Sequence, residues 1–289
     1  MKRALLFGIF SVTLLLWSLG RPAAALAHPH ILDADTRQEV SIAEFLEDLR
    51  QTRVVFVGEL HDHVGHHAAQ LAIIEALADD DRPLVIGLEM FRRDSQEALD
   101  RWTSGDMSFL DFIEVYNDNW SMWEAYRQIF NYARQEDVPM VGLNIPRRVT
   151  AQVSRRGFAR LPAEQQRELG NVECEVSPLY EKYIRQALGG HGGHGQQFLY
   201  FCEAQILWDT VMARHIVEYL EQNPEARMVV LAGSAHAWKH GIPTRMLQLA
   251  EIDYRVVLPE VVGRIDRRNV NAQLADYLWL DVDDAGWQF

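Results

Sequence analysis

Residues 54–63 read Val54-Val55-Phe56-Val57-Gly58-Glu59-Leu60-His61-Asp62-His63. A short β-branched run that breaks into glycine, then into acid and imidazole, reads as a buried strand delivering polar groups to its own carboxyl end. In open α/β sheets that edge is where ligands bind. Four more apolar runs share the character: Leu84–Leu88, Met140–Leu143, Met228–Leu231 and Arg255–Leu258. None alternates with polar residues, which suits strands buried on both faces of a mostly parallel sheet. Helical patterns lie between them, over Ala68–Ala78, Met122–Gln135, Ile206–Leu220 and Pro243–Ala250. The expected fold is α/β: a mostly parallel central sheet flanked by helices.

The stretch from about 149 to 197 is helical in composition and has no clear strand. It reads as a helical insertion between the third and fourth strands, ending in Gly189-Gly190-His191-Gly192-Gly193-His194-Gly195. The tail after Gly263 is weakly patterned and reads as a strand or extended segment packed on the surface.

The ends and the composition narrow the function classes. Lys2-Arg3, the apolar run Ala4–Leu19 and Ala25-Leu26-Ala27 form a secretory signal pattern over residues 1–27. A single domain over 28–289 follows, expected outside the cytoplasm and in the periplasm. An uncleaved anchor is the alternative, but the apolar run is short for a spanning helix. No cysteine lies near the cleavage point, so no lipid attachment is read. The formal charge is −13, and −16 once the first 27 residues, with three cations and no acid, are removed. Such acidity argues against nucleic acid as a partner. Cys174 and Cys202 are the two cysteines; one disulfide and two separate buried thiols both remain open.

The polar residues fall at strand ends. Glu59 and His61 follow the first strand, Glu89 the second, Asn144 with Arg147 the third, and His236 the fourth. Parallel neighbours would bring them to one crevice. Glu59, His61, Glu89 and His236 form an acid–base set for activating water and also a candidate divalent-metal set. The blander alternative is pairing of Glu59 and Glu89 with Arg92, Arg93 or Arg147 to hold loops. His63 and His67 share a helix face but lack the glutamate of the zinc-protease pattern. There is no Gly-x-Ser-x-Gly elbow, phosphate loop or dinucleotide motif.

Five ordered segments carry a resemblance. They are Val57-Gly58-Glu59-Leu60-His61-Asp62, Gly87-Leu88-Glu89-Met90-Phe91, Val141-Gly142-Leu143-Asn144-Ile145-Pro146-Arg147, Glu203-Ala204-Gln205-Ile206-Leu207-Trp208-Asp209 and Leu231-Ala232-Gly233-Ser234-Ala235-His236. Together they resemble the ChaN-like haem-binding uptake proteins, within the erythromycin-esterase and TIKI/TraB-like superfamily. The resemblance implies an exported protein that binds haem or an iron complex. Relatives tend to show Phe-Tyr where this chain reads Phe201-Cys202, so Tyr200, Tyr183, His191, His194 and a Cys202 thiolate are the candidate ligands. Trp208, Asn144 and Arg147 join them as cofactor-binding residues. A homodimer and an outer-membrane uptake machinery are the partners this reading admits. The alternative is hydrolysis of an ester or peptide bond, metal-dependent or by glutamate and histidine, with Glu59 or His61 as base and His236 orienting substrate or stabilising charge.

Overall fold

A computed structural model describes residues 29–170, 172–187 and 195–282. The strands are β1 (His30–Asp33), β2 (Glu39–Val40), β3 (Val54–Glu59), β4 (Leu84–Arg92), β5 (Met140–Asn144), β6 (Arg227–Gly233), β7 (Tyr254–Pro259) and β8 (Tyr277–Leu280). The helices are α1 (Ile42–Gln51), α2 (Val64–Ala78), α3 (Gln96–Thr103), α4 (Phe109–Asn119), α5 (Trp123–Gln135), α6 (Arg147–Arg156), α7 (Ala163–Leu169), α8 (Pro178–Ala187), α9 (Gln196–Gln222), the single turn α10 (Ser234–Ala237) and α11 (Ile242–Leu249). The strands form one sheet in the order β2-β1-β8-β7-β3-β6-β4-β5. From β8 to β5 every pairing is parallel, and β1 and β2 add an antiparallel edge.

The five apolar runs are β3, β4, β5, β6 and β7, five of the six strands paired in parallel. Their side chains divide by parity, as the two-residue period of a strand requires. Val54, Phe56, Met228, Val230, Val256 and Leu258 pack on one face with α9 and α11 residues such as Leu207, Met212 and Met246. Val55, Val57, Ile86, Leu88, Val229 and Leu231 pack on the other with α2 and α5 residues such as Ile73, Ile74 and Phe130. Both faces are covered by helices, so continuous apolar runs are what the strands need.

Three differences from the sequence reading have local causes. β4 continues past Glu89 to Arg92, through a register shift against β5 between Leu88 and Arg92. Gly142 permits this: a Cβ there would lie 2.5 Å from the Arg92 carbonyl oxygen. β8 is indeed a strand, but all four of its residues are buried rather than on the surface. It pairs with β7 and β1, and Trp279 is 1% exposed. The antiparallel β1 and β2 are too short to show a pattern. Between β5 and β6 the chain runs through α6, α7, α8 and α9. The signal pattern at 1–27 and the glycine–histidine segment at 188–194 lie outside the described residues.

Cys174 and Cys202 form a disulfide that joins the segment before α8 to α9. The crosslink spans 28 residues of chain, and closing a loop of that size restricts the unfolded state. Replacing both cysteines by alanine is expected to cost roughly 3–4 kcal/mol in chemical denaturation. A loss below about 1 kcal/mol would show that packing of α8 on α9 suffices without the crosslink.

Candidate functional site: a crevice between two carboxylate–imidazole pairs

Strand order sets the crevice. β6 lies between β3 and β4, and Gly233 pairs with Glu59 across the β3–β6 ladder. Glu59, Gly233 and Glu89 therefore stand side by side at the carboxyl edge. Gly233 is bare for a reason: a Cβ there would lie 3.0 Å from His61 Cε1 and 3.2 Å from its Nε2. The His61 ring rests on that backbone, and the Gly233 N–H donates to Glu89 Oε2 at 2.7 Å.

Glu59 is 1% exposed. An ionised carboxylate survives such burial only with full hydrogen bonding. Tyr126 Oη donates to Oε1, His61 Nδ1 lies 2.7 Å from Oε1, and Gln70 Nε2 donates to Oε2 at 2.8 Å. His67 Nδ1 is 3.3 Å from Oε2. Burial alone would raise the Glu59 pKa, but the hydrogen bonds from His61 and His67 outweigh it and hold the group far below the usual carboxylate range. Both ring nitrogens of His67 face acceptors, since Nε2 is 3.0 Å from the His61 carbonyl. That arrangement suits an imidazolium. For His61 and His67 alike, burial is overcome by the bond to Glu59 and the pKa is raised.

The second pair has the same geometry but a different balance: burial outweighs the attraction of His236 and the bonds from His236 and Tyr180, and raises the Asp209 pKa. His236 Nδ1 lies 2.6 Å from Asp209 Oδ1, and Tyr180 Oη donates to Asp209 Oδ2 at 2.5 Å. His236 Nε2 is left facing Glu89 Oε1 at 3.9 Å. Burial opposes charge on His236, but Glu89 and Asp209 prevail and push its pKa up to about 9. Each imidazole thus spends Nδ1 on a buried carboxylate and turns Nε2 toward the crevice.

Around the rim, Trp120 meets His61 edge-on at 5.0 Å, and the Arg147 guanidinium lies 6.0 Å from the Trp120 ring centre. Trp208 meets His236 edge-on at 5.9 Å. Asn144 Nδ2 donates to the Glu89 carbonyl at 2.8 Å and so holds β4 at its bulge. The ring of half-buried Tyr183 lies tilted against Trp238 at 5.4 Å. Burial raises its pKa, the Arg264 charge opposes that, and Asp209 and Glu89 add to it, so the hydroxyl feels the crevice.

The strand-end residues converge as expected, but several assignments change. Glu59 and Glu89 do not pair with Arg92, Arg93 or Arg147; Arg92 binds Asp94 and Asp118 instead. Glu59 is fully engaged by its own donors, which removes it as a base on a ligand. Among the described residues no group of three or more His, Cys, Asp or Glu is arranged to hold a metal ion. The metal set of Glu59, His61, Glu89 and His236 therefore gains no support: the imidazoles pair with separate carboxylates. Cys202 is buried in a disulfide and offers no thiolate. Tyr200 packs over Gly157, at the end of α6, where a Cβ would lie 2.4 Å from its ring. His63 caps α2 by accepting from the His66 N–H, and does not join His67. His191 and His194 lie outside the described residues. Tyr126, Gln70, Asp209 and Tyr180 were missed as site residues. Each comes from a helix whose approach to the strand ends no local pattern reveals, although Asp209 sits inside a resembling segment.

A family model described as haem-binding uptake, Tiki superfamily, ChaN matches residues 45–246. Among solved structures, ChaN of Campylobacter jejuni, described with cofacial haem binding, superposes with a TM-score of 0.69 at 22% identity, covering 87% of this chain and 96% of that one. An erythromycin esterase mutant, EreC in its open conformation, gives a TM-score of 0.47 at 16% identity, over 79% of this chain and 76% of that one. No curated protein matches the sequence.

The raised His236 pKa fixes a pH dependence. A histidine with a raised folded-state value stabilises fully below the unfolded value, near 6.5, and loses that contribution as pH rises through the folded value. The stability difference between the native chain and His236→Gln is expected to shrink between pH 6.5 and about 9. In NMR the His236 ring should titrate near 9; a midpoint at or below 6.5 would refute the assigned pairing.

Proposed function

The chain belongs to the haem-binding uptake family of the Tiki superfamily, ChaN among its members, and from that premise we propose that it binds haem beside its strand-end crevice, outside the cytoplasm, as a step in haem or iron uptake. The observation that carries this is Tyr183. It is a half-buried phenol in an aromatic cluster with Tyr180 and Trp238, its hydroxyl within the electrostatic reach of the crevice. Tyrosine is an axial haem ligand. Burial raises the cost of ionising Tyr183, and the Arg264 charge offsets part of that cost. Bound haem would supply an iron centre for Tyr183 and a broad apolar face for aromatic neighbours.

The residues fit the group. Half-buried Trp208 and Trp120 border the carboxyl edge with apolar surface, and buried Trp238 backs Tyr183. Arg147 at the rim adds a cation beside Trp120. Two features support a place outside the cytoplasm: the signal pattern at residues 1–27, and the Cys174–Cys202 disulfide, a bond that persists in oxidising compartments. An outer-membrane uptake machinery is then the source of the ligand.

A second reading, hydrolysis of an ester or peptide bond, is favoured by the two carboxylate-backed imidazoles. In it Glu89, between the two Nε2 atoms, is the base and His236 the acid; Glu59 and His61 are orienting groups. Loss of p-nitrophenyl ester turnover in Glu89→Gln would support it, and unchanged turnover would remove it.

Titration of haem into the full chain is expected to give a saturable Soret shift at micromolar concentration. Tyr183→Phe should weaken binding by about tenfold or more and change the band position, because the phenol that would hold the iron is removed. Tyr200→Phe should leave both unaltered. No absorbance shift with the native chain would overturn the haem reading.

A further inference from the structure

Helix α8 carries Tyr180 and Tyr183 to the crevice, yet little in α8 itself keeps it there. It has ten residues, fewer than the roughly 12–15 an isolated helix needs to be even marginally stable in water. The segment before it, residues 172–177, forms neither helix nor strand. Among the described side chains of α8, Tyr180 and Ile184 are the fully buried ones. The stretch is also tied by ring contacts of Tyr180 and Tyr183 with Trp238, by the Tyr180–Asp209 bond, by Ser177 Oγ 3.1 Å from His240 Nδ1, and by the Cys174–Cys202 crosslink.

The other end of the crosslink is different. Cys202 lies on α9, 27 residues long, which buries Leu207, Val211, Met212, Ile216 and Leu220 in the core on one face of the sheet. Burial on that scale holds α9 in place with or without the bond. The crosslink therefore ties an element that stands alone to one that depends on the tie.

One wall of the site hangs on that dependence. Tyr180 Oη donates to Asp209 Oδ2, and Asp209 is 0% exposed. Withdrawing the donor leaves a buried carboxylate oxygen unpaired, which is costly. The same carboxylate orients His236 through Nδ1. Tyr183, on the same short helix, moves with Tyr180. The Tyr183 phenol and the setting of His236 are thus lost together when α8 leaves. Glu59, held by donors on α2 and α5, keeps its place.

We infer that thiol oxidation completes this site: a disulfide-donating reaction must join Cys174 to Cys202 before the chain can hold its ligand, whose identity as haem rests on the reading above. Cys174 is half-buried on the irregular segment and Cys202 is fully buried, so Cys174 is the thiol that a partner's disulfide reaches. The Cys174 thiolate attacks that disulfide, forms a mixed disulfide and releases one partner thiolate. The Cys202 thiolate then attacks Cys174 Sγ and releases the second. The chain gives up two electrons and two protons, and the donor, a thiol–disulfide oxidoreductase, becomes a dithiol. Where thiols stay reduced, as in the cytosol, the site stays incomplete and the chain leaves haem free.

The test compares the native full chain with the same chain reduced by a dithiol, the reductant being removed without air before haem is added. Hydrogen exchange is followed along the chain. Reduction is expected to speed exchange in α8 by roughly a hundredfold, the factor that a crosslink of this span carries, and to leave residues 206–220 of α9 protected. Haem affinity, read from the Soret band, should fall about tenfold or more and return on reoxidation with oxidised glutathione. The double variant Cys174→Ser, Cys202→Ser should bind as weakly as the reduced chain and gain nothing from reoxidation. Haem affinity unchanged by reduction overturns the inference. So does equally faster exchange in α2, α8 and α9, because the bond then serves the whole fold and not the site. Should the native chain bind no haem, the haem reading fails separately, and the inference stands or falls on whether reduction loosens α8 alone.

Discussion

A carboxylate buried at the end of a central strand is the constraint from which the site follows. Glu59 is 1% exposed and ionised, so every lone pair it presents must be met from inside the protein. The donors come from three elements: His61 from the turn after β3, His67 and Gln70 from α2, and Tyr126 from α5. Satisfying one side chain therefore fixes where two helices sit against the sheet. It also fixes the His61 ring, whose Nδ1 is bound and whose Nε2 rests over Gly233. A residue with any side chain at 233 would push that ring out of the crevice.

The opposite wall repeats the solution with different parts. Asp209 on α9 plays for His236 the role that Glu59 plays for His61, and Tyr180 on α8 stands where Tyr126 stands on the first side. The helices between β5 and β6 are thus tied to the strand ends by a buried hydrogen-bonded chain as well as by the Cys174–Cys202 bond. Motion of α8 cannot be separated from the orientation of His236. Tyr183, one turn beyond Tyr180 on α8, is positioned by the same attachment.

The central sheet was legible in the sequence because strands covered on both faces must be continuously apolar, and Val54–Val57 or Met228–Leu231 leave little else to read. The convergence of Glu59, His61, Glu89 and His236 was legible for a related reason: each follows such a run, and parallel strands put all their carboxyl ends on one edge. What could not be read depends on helices approaching from elsewhere. Asp209 lies in the middle of a 27-residue helix and Tyr126 near the start of α5, where their types suggest a core position or a solvated face. The bulge that carries β4 past Glu89 depends on the close approach of Gly142, a tertiary fact. β8 was read as lying on the surface because its four residues lack the length to show that both faces are covered.

The protonation states bear on which function the crevice serves. His61, His67 and His236 are all held toward the charged form by carboxylates behind them. A charged imidazole donates through Nε2 and cannot accept a proton, so His236, with its pKa pushed up to about 9, is poorly suited to base catalysis at neutral pH. Glu89 is the remaining candidate base, and the Gly233 N–H already occupies one of its oxygens. A crevice bordered by tryptophan and tyrosine suits a ligand with a broad apolar face. Haem has that form, and a small ester or peptide bond makes no use of most of it.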